Sequence, residues 1–257
     1  MSHFKPCSID NVKELTEEYI KALSSPIDSF LENHILNSAF YQMYDGSTLI
    51  GYFAIHSNEK LTQFYIAQPY LHLAQDTFKH VLEHYSIRSL FVPTCDELFL
   101  SMALDLDFKI EKEAYFFQDS KRPLLPETLY PGGTFHPAGP EDVHRIIEVS
   151  GDFLQQADKM AEKGELFTFT KDDVLLGIGV LERSKLLSGY ASIGMFTNKA
   201  YRQQGVGQTV IHHLKQWCYE HNTIPICGCW YYNTNSKKTL ERAGMVSKTR
   251  LLNLVAE

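Results

Sequence analysis

The run Arg202-Gln203-Gln204-Gly205-Val206-Gly207 has the residue types and spacing best suited to chemistry. It stands between a strand-like run at 193–196 and a long helical pattern that starts at Val206. At such a junction exposed backbone N–H groups and the positive end of the helix can cradle phosphate oxygens. The two glycines let the main chain approach a ligand with no Cβ in the way. By itself a G-x-G also marks a plain strand-to-helix turn. A P-loop fits poorly, because Gly207 is followed by Gln208-Thr209 with no lysine. A dinucleotide fingerprint fits poorly too, since Val210 stands where its third glycine belongs. Two further spacings suggest metal and then fall short. Cys227 and Cys229 share one face of a strand, but no further ligand stands nearby at a recognisable spacing. His80-Val81-Leu82-Glu83-His84 matches an inverted zinc-peptidase pattern with both histidines on one helix face. It has no identifiable third ligand and reads as a solvated helix face. No metal site is expected.

The elements that position the loop occur twice. Thr48 to Ile55 (TLIGYFAI) parallels Val174 to Leu181 (VLLGIGVL), each after a turn, Asp45-Gly46 or Asp172-Asp173. Asp76 to Tyr85 parallels Gln208 to Trp217, so that Thr77, His80 and Leu82 fall on Thr209, His212 and Leu214. The segment 105–117 parallels 241–253. Each half reads helix–helix–strand–strand–strand–helix–strand–helix–strand. In the second half the expected helices are at 152–163, 206–221 and 236–243, after one opened by Pro140-Glu141-Asp142. The expected strands are at 166–170, 174–182, 189–196, 224–230 and 246–254. The fold class is therefore α/β (α+β), with a mixed, mostly antiparallel sheet flanked by helices in each half. The expected domains are 1–118 and 134–257. Between them 119–133, with Pro123, Pro126, Pro131 and Gly132-Gly133, reads as a linker.

The loop, with the preceding Thr197-Asn198-Lys199-Ala200-Tyr201, resembles the acyl-CoA motif of the GNAT superfamily of N-acyltransferases, [QR]-x-x-G-x-[GA]. The segment 233–245, NTNSKKTLERAGM, is similar to the family's N-x-x-S-x-x-x-x-E-K-x-G-F, and 134–142 to its first strand and helix start. The resemblance covers 134–257 and rests on all three pieces in order. It implies that main-chain groups of Met195 and Thr197 pair with pantetheine. The amides of Gln203, Gln204, Gly205, Val206, Gly207 and Gln208 would hold the pyrophosphate, with Arg202 adding charge. Asn233 and Ser236 would touch the pantetheine arm or the phosphates. The co-substrate implied is acetyl-CoA, the oxyanion donor the Met195 amide, and the reaction direct attack by an amine. In the first half, Tyr70-Leu71-His72-Leu73-Ala74-Gln75 occupies the loop positions without a glycine. That half resembles the same fold with a degenerate cofactor site.

The departures from the family concern proton transfer. Leu240 stands where many members carry an acidic tyrosine, and neither 189–196 nor 224–230 contains an Asp, Glu or His. An alkyl ammonium of pKa roughly 10 is neutral in about one molecule per thousand at pH 7, so a route for its proton matters. Water held by Tyr190, Ser192 or Glu182 is one route, and Tyr231 or Tyr232 could return the proton to the thiolate. Tyr190 and Tyr232 are the catalytic candidates. The rival reading is a catalytically inactive acyl-CoA-binding or regulatory protein, which the missing acid and base favour.

Composition narrows the partners. Over 257 residues, 24 Lys+Arg stand against 31 Asp+Glu, a net charge of −7, which argues against nucleic acid and anionic lipid and suits an amine. Charges interrupt every apolar stretch before membrane-spanning length, and MSHFKPCSID has no signal-peptide core, so no membrane is expected. Five cysteines without a disulfide-style framework point to a reducing cytoplasm. The acceptor expected is a small-molecule primary amine.

Overall fold

The computed structural model describes residues 2–154 and 156–256. Met1, Gln155 and Glu257, which fall within the expected domains and the expected helix at 152–163, lie outside the described residues. The chain forms two compact units, Met1–Phe116 with Lys248–Glu257, and Phe117–Ser247.

In the first unit β1 (Ser2–Cys7) precedes α1 (Lys13–Ala22) and α2 (Ser29–Leu36). Then come β2 (Ala39–Asp45), β3 (Thr48–His56), β4 (Lys60–Ile66), α3 (Ala74–His84), β5 (Ser89–Pro93), α4 (Glu97–Leu104) and β6 (Phe108–Asp119), the last of which reaches the second unit. Sheet order runs β1-β2-β3-β4-β5 and ends on the C-terminal part of β12 (Met245–Ala256). The β4–β5 pair is parallel, while β1–β2, β2–β3, β3–β4 and β5–β12 are antiparallel. Residues 248–256 thus complete the first unit's sheet, with Leu251 opposite Pro93 and Val255 opposite Ser89. The leading strand β1 was absent from the pattern expected of this half. It lies at the sheet edge, where Pro6 removes no central ladder bond.

The second unit repeats the order with β7 (Thr134–Pro137), α5 (Val143–Ser150), α6 (Ala157–Glu162), β8 (Leu166–Lys171) and β9 (Val174–Arg183). It continues through β10 (Tyr190–Thr197), α7 (Val206–Glu220), β11 (Ile224–Trp230), α8 (Thr234–Arg242) and the start of β12. Its sheet runs β11-β10-β9-β8-β7, antiparallel except for β10–β11. The β8–β9 hairpin closes through Asp172 and Asp173, both at positive φ, which matches the twist of the strands it joins. The helix expected over 152–163 is a 3-10 turn at Gly151–Leu154 and then α6. The amphipathic α7 buries Val206, Val210, Ile211 and Leu214, while Ile146, Leu154, Leu166 and Ile178 form a separate apolar cluster under α5 and α6. No helix among the described residues is long and apolar enough to cross a membrane.

Candidate functional site

The parallel pair β10–β11 creates an opening in the second unit. The strands pair only over Tyr190, Ala191 and Ser192 with Ile224, Pro225 and Ile226. Beyond Ser192 and Ile226 both continue as strands, to Thr197 and Trp230, without pairing to each other. One bond and the register fix the backbone direction along β10. Asn198 N–H donates to Leu176 C=O, so Phe196 and Gly194, two and four residues back, also face β9. The N–H and C=O groups of Met195 and Thr197 therefore point away from β9, into the opening.

At the mouth of this opening the chain turns from β10 into α7. Asn198 pins the turn: its Oδ1 accepts from Ala200 N–H (3.2 Å) and its Nδ2 donates to Leu175 C=O (2.8 Å). Gln203 (φ 62°) and Gly205 (φ 89°) are both left-handed, with Gln204 between them. Left-handed residues in a turn aim successive amides into a shared concavity, the geometry of an anion nest. The nest continues into the first turn of α7, whose N–H groups have no partner within the helix. At Gly207 a Cβ would lie 3.0 Å from Thr197 Oγ1 and 3.1 Å from Thr239 Cγ2. The absent side chain thus keeps clear the space between the loop, β10 and α8. These features fit a pantetheine-pyrophosphate chain: a stretch of β10 edge not paired to β11, a cleared approach and an amide nest in sequence. Arg202 lies at the same mouth, with its Nε donating to Thr197 C=O at 3.4 Å and its guanidinium 5.8 Å from the Phe196 ring.

Asn233 has a structural task that the motif concealed. Its Oδ1 accepts from Ser236 N–H (3.0 Å) and so caps α8. The N-x-x-S spacing is a helix cap and places Asn233 and Ser236 together at the start of α8.

The proton-transfer candidates divide. Tyr190 begins β10, opposite Ile224, about 17 Å from Met195 at ~3.3 Å per residue. Tyr232 lies just past the end of β11, in contact with Trp230 and Tyr231 at ring-centroid distances of 5.1 and 5.2 Å. Tyr190 and Tyr232 therefore occupy opposite ends of the β10–β11 pair, and the fold does not bring them together. Glu182 lies directly opposite Ser192 in the β9–β10 ladder, so their side chains share a sheet face, about 10 Å along the strand from Met195.

One feature of the site was not legible as such. The segment after β6 is a strap built into the second unit. At its start the side chains of Asp119 and Lys215, 5% and 8% exposed, form a 2.8 Å ion pair, and Tyr219 OH donates to Asp119 Oδ2. At its end Tyr130 N–H donates to Thr209 Oγ1 (2.8 Å) and Lys171 Nζ to Pro131 C=O (2.9 Å). Between these anchors Gln208 Nε2 donates to Thr128 Oγ1 (3.0 Å). A Cβ on Gly205 would stand 3.5 Å from Thr128 C=O. The signal available in the sequence was the pair Gln208-Thr209, two polar residues on a helix turn that is buried.

In the first unit the loop positions form a 3-10 turn, Gln68–Leu73, running directly into α3. The β4–β5 pair also separates early, after Leu61 and Leu90. Here, however, Gln63 of β4 and Asp96 after β5 are buried along with Tyr19 and Tyr52. Among the described residues no partner of ordinary hydrogen-bond geometry reaches the hydroxyl of either tyrosine, the amide atoms of Gln63 or Asp96 Oδ2, although Tyr19 lies close enough to Asp96, and Tyr52 to Gln63, to interact electrostatically. Burial pushes the Asp96 carboxyl up to about 7, against the bond it accepts from Phe99 N–H. His80 and His84 pack their rings near Phe4, at 4.8 and 5.9 Å. Among the described residues no group of three or more His, Cys, Asp or Glu side chains is placed to hold a metal ion.

Comparison with known proteins agrees with this geometry. Residues 8–120 match the model of an acetyltransferase (GNAT) domain, and residues 135–245 match that of the acetyltransferase (GNAT) family. No curated protein matches the sequence. Among solved structures, a GNAT-family acetyltransferase from Colwellia psychrerythraea superposes with a TM-score of 0.89 at 18% identity, covering 99% of this chain and 100% of that one. A tandem GNAT protein from the clavulanic acid biosynthesis pathway gives 0.66 at 12% identity, covering 100% and 98%. A GCN5-related N-acetyltransferase from Sphaerobacter thermophilus gives 0.68 at 11%, covering 100% and 95%. At these identities the superpositions speak for the fold, and the two sequence models speak for the family. The chain belongs to the GNAT acetyltransferase family and carries two GNAT domains in tandem.

Proposed function

We propose that the second unit binds acetyl-CoA and transfers its acetyl group directly to a primary amine of a small molecule. The observation that carries this reading is the unpaired stretch of β10, with Met195 main-chain groups facing an opening that ends at the amide nest of 203–208. Met195 and Thr197 would hold the pantetheine, the amides from Gln203 to Gln208 the pyrophosphate, and Arg202 would add positive charge. Asn233 and Ser236 would line the arm at the start of α8.

Acetyl-CoA, when bound, supplies a thioester whose carbonyl carbon bonds to the acceptor nitrogen while the C–S bond breaks and the thiolate leaves. The chain's contribution is positional and electrostatic. The Met195 N–H donates to the carbonyl oxygen as negative charge builds there, the role of an oxyanion donor. The ammonium proton passes through water held by Ser192 and Glu182, which share a sheet face. Tyr231 or Tyr232, at the C-terminal end of β11, supplies the proton the thiolate takes up. Tyr190, about 17 Å from Met195, would order water only at the far end of that relay. The net charge of −7 favours a cationic acceptor.

The test is release of free thiol from acetyl-CoA across a panel of polyamines, amino sugars, amino-acid amides and peptides. Turnover with one small amine, reduced at least tenfold in Tyr232→Phe or Glu182→Gln, supports the reading. Tight acetyl-CoA binding without thiol release from any amine would favour the alternative, a catalytically inactive acyl-CoA-binding or regulatory protein.

A further inference from the structure

We propose that the strap and α8 form a recognition pocket for a phosphate monoester on a nucleotide, namely the 3′-phosphate of the CoA adenosine. The inference rests on the acetyl-CoA reading above and extends it to Arg122, which lies outside the motifs quoted for the family, and to Arg242, which stands at the lysine position of the 233–245 segment. Beneath the strap is a cavity of about 870 Å³, walled by Arg122, Leu125 and Thr128 of the strap, by Gly205 and Gln208, and by Arg242 at the end of α8. This volume is within the usual range for small-molecule sites. The strap is anchored at both ends, by Asp119–Lys215 and Tyr130–Thr209, and between them it meets α7 where Gln208 Nε2 donates to Thr128 Oγ1.

The two loop glycines set the orientation. The Cβ position of Gly207 faces Met195, Thr197 and Thr239, on the side of the strand opening. That of Gly205 faces Thr128, Leu129 and Tyr130, on the side of the strap. A pyrophosphate held on the amides between them has pantetheine at one end and adenosine at the other. With pantetheine in the strand opening, the nucleotide is directed toward the strap. Arg122 and Arg242 have no ion-pair partner among the described residues, and each offers the planar fork of donors that suits a phosphate dianion. Glu127 also lines the cavity and opposes the anion, leaving a net positive pocket.

The experiment is calorimetric titration of the full chain with CoA and with 3′-dephospho-CoA. The expected result is that CoA binds about tenfold or more tightly than its dephospho form, as a charge-assisted contact of this kind gives. The Arg122→Ala/Arg242→Ala double variant should bind both ligands equally, and Glu127→Gln should widen the preference. Both arginines are exposed, so circular dichroism should show the variants folded. Equal affinity for the two ligands in the wild type, or a preference unchanged in the double variant, would overturn the pocket while leaving acetyl-CoA binding in place. Failure of the wild type to bind CoA at all would instead overturn the reading on which it rests.

Discussion

The two units open the same pair of strands and treat the opening in opposite ways. In the second unit β10 and β11 part after Ser192 and Ile226, and the space beyond is bordered by main-chain edge, glycine and an amide nest. In the first, β4 and β5 part after Leu61 and Leu90, and the neighbourhood holds the buried side chains Tyr19, Tyr52, Gln63 and Asp96. The outer helix faces differ as well. Lys215 of α7 is buried beneath the strap, while Glu83, its counterpart on α3, is exposed. The comparison separates the fold from the site. Strand divergence belongs to the fold, whereas an amide nest and a cleared edge make one opening suitable for a cofactor.

The largest effect should come from the strap anchor that only the second unit has. Lys215→Met leaves the Asp119 carboxylate buried without its partner, and loss of one member of a buried pair costs about 3–5 kcal/mol. Urea unfolding should show that loss, and a midpoint unchanged from wild type would mean that the strap is not held this way. Next is Gly205→Trp, which places a bulky residue at φ 89° and drives it toward the strap backbone. Acetyl-CoA affinity should fall by about 100-fold, roughly 2.7 kcal/mol. Retained affinity would remove the loop from the site.

The first unit offers a pH test. The Asp96 carboxyl titrates near 7 in the fold, well above the ordinary carboxylate value, so the fold prefers it neutral. Tyr19, Tyr52, Cys95 and Glu97 surround it and add no cation. Its contribution to stability is complete below about pH 4 and is lost as pH rises to about 7. Asp96→Asn, which keeps the cap on Phe99 N–H, should flatten that slope and stabilise the protein by roughly 2 kcal/mol at pH 8. A wild-type stability independent of pH over this interval would contradict the assignment. The smallest effect belongs to His72→Ala and Gln75→Ala, exposed substitutions at the first unit's loop positions. Acetyl-CoA affinity should stay within about twofold, and a larger loss would place a cofactor contact in that unit.

Much of the fold could be read from the sequence because local signals agreed. The repeat placed β3 against β9 and α3 against α7, and each helix begins where the shared pattern puts it, at Ala74 and Val206. The loop was legible because glycine spacing and the strand-to-helix switch coincide within six residues. The strap was not, because its bonds join residues about 80 positions apart, Gln208 to Thr128 and Thr209 to Tyr130, and leave no periodic trace. For the same reason 245–256 reads plainly as a strand, while its pairing with β5 of the first unit cannot be seen in its alternation. The placement of Tyr190 and Tyr232 at opposite ends of one strand pair depends on parallel register, which two separate segments do not encode.

The most direct test of the central claim is the stoichiometry of acetyl-CoA binding by calorimetry. One site per chain, weakened about 100-fold in Gly205→Trp and unaffected by His72→Ala, is the result predicted for an opening that the second unit keeps clear. Two sites per chain, or one site whose affinity Gly205→Trp leaves unchanged, would contradict it.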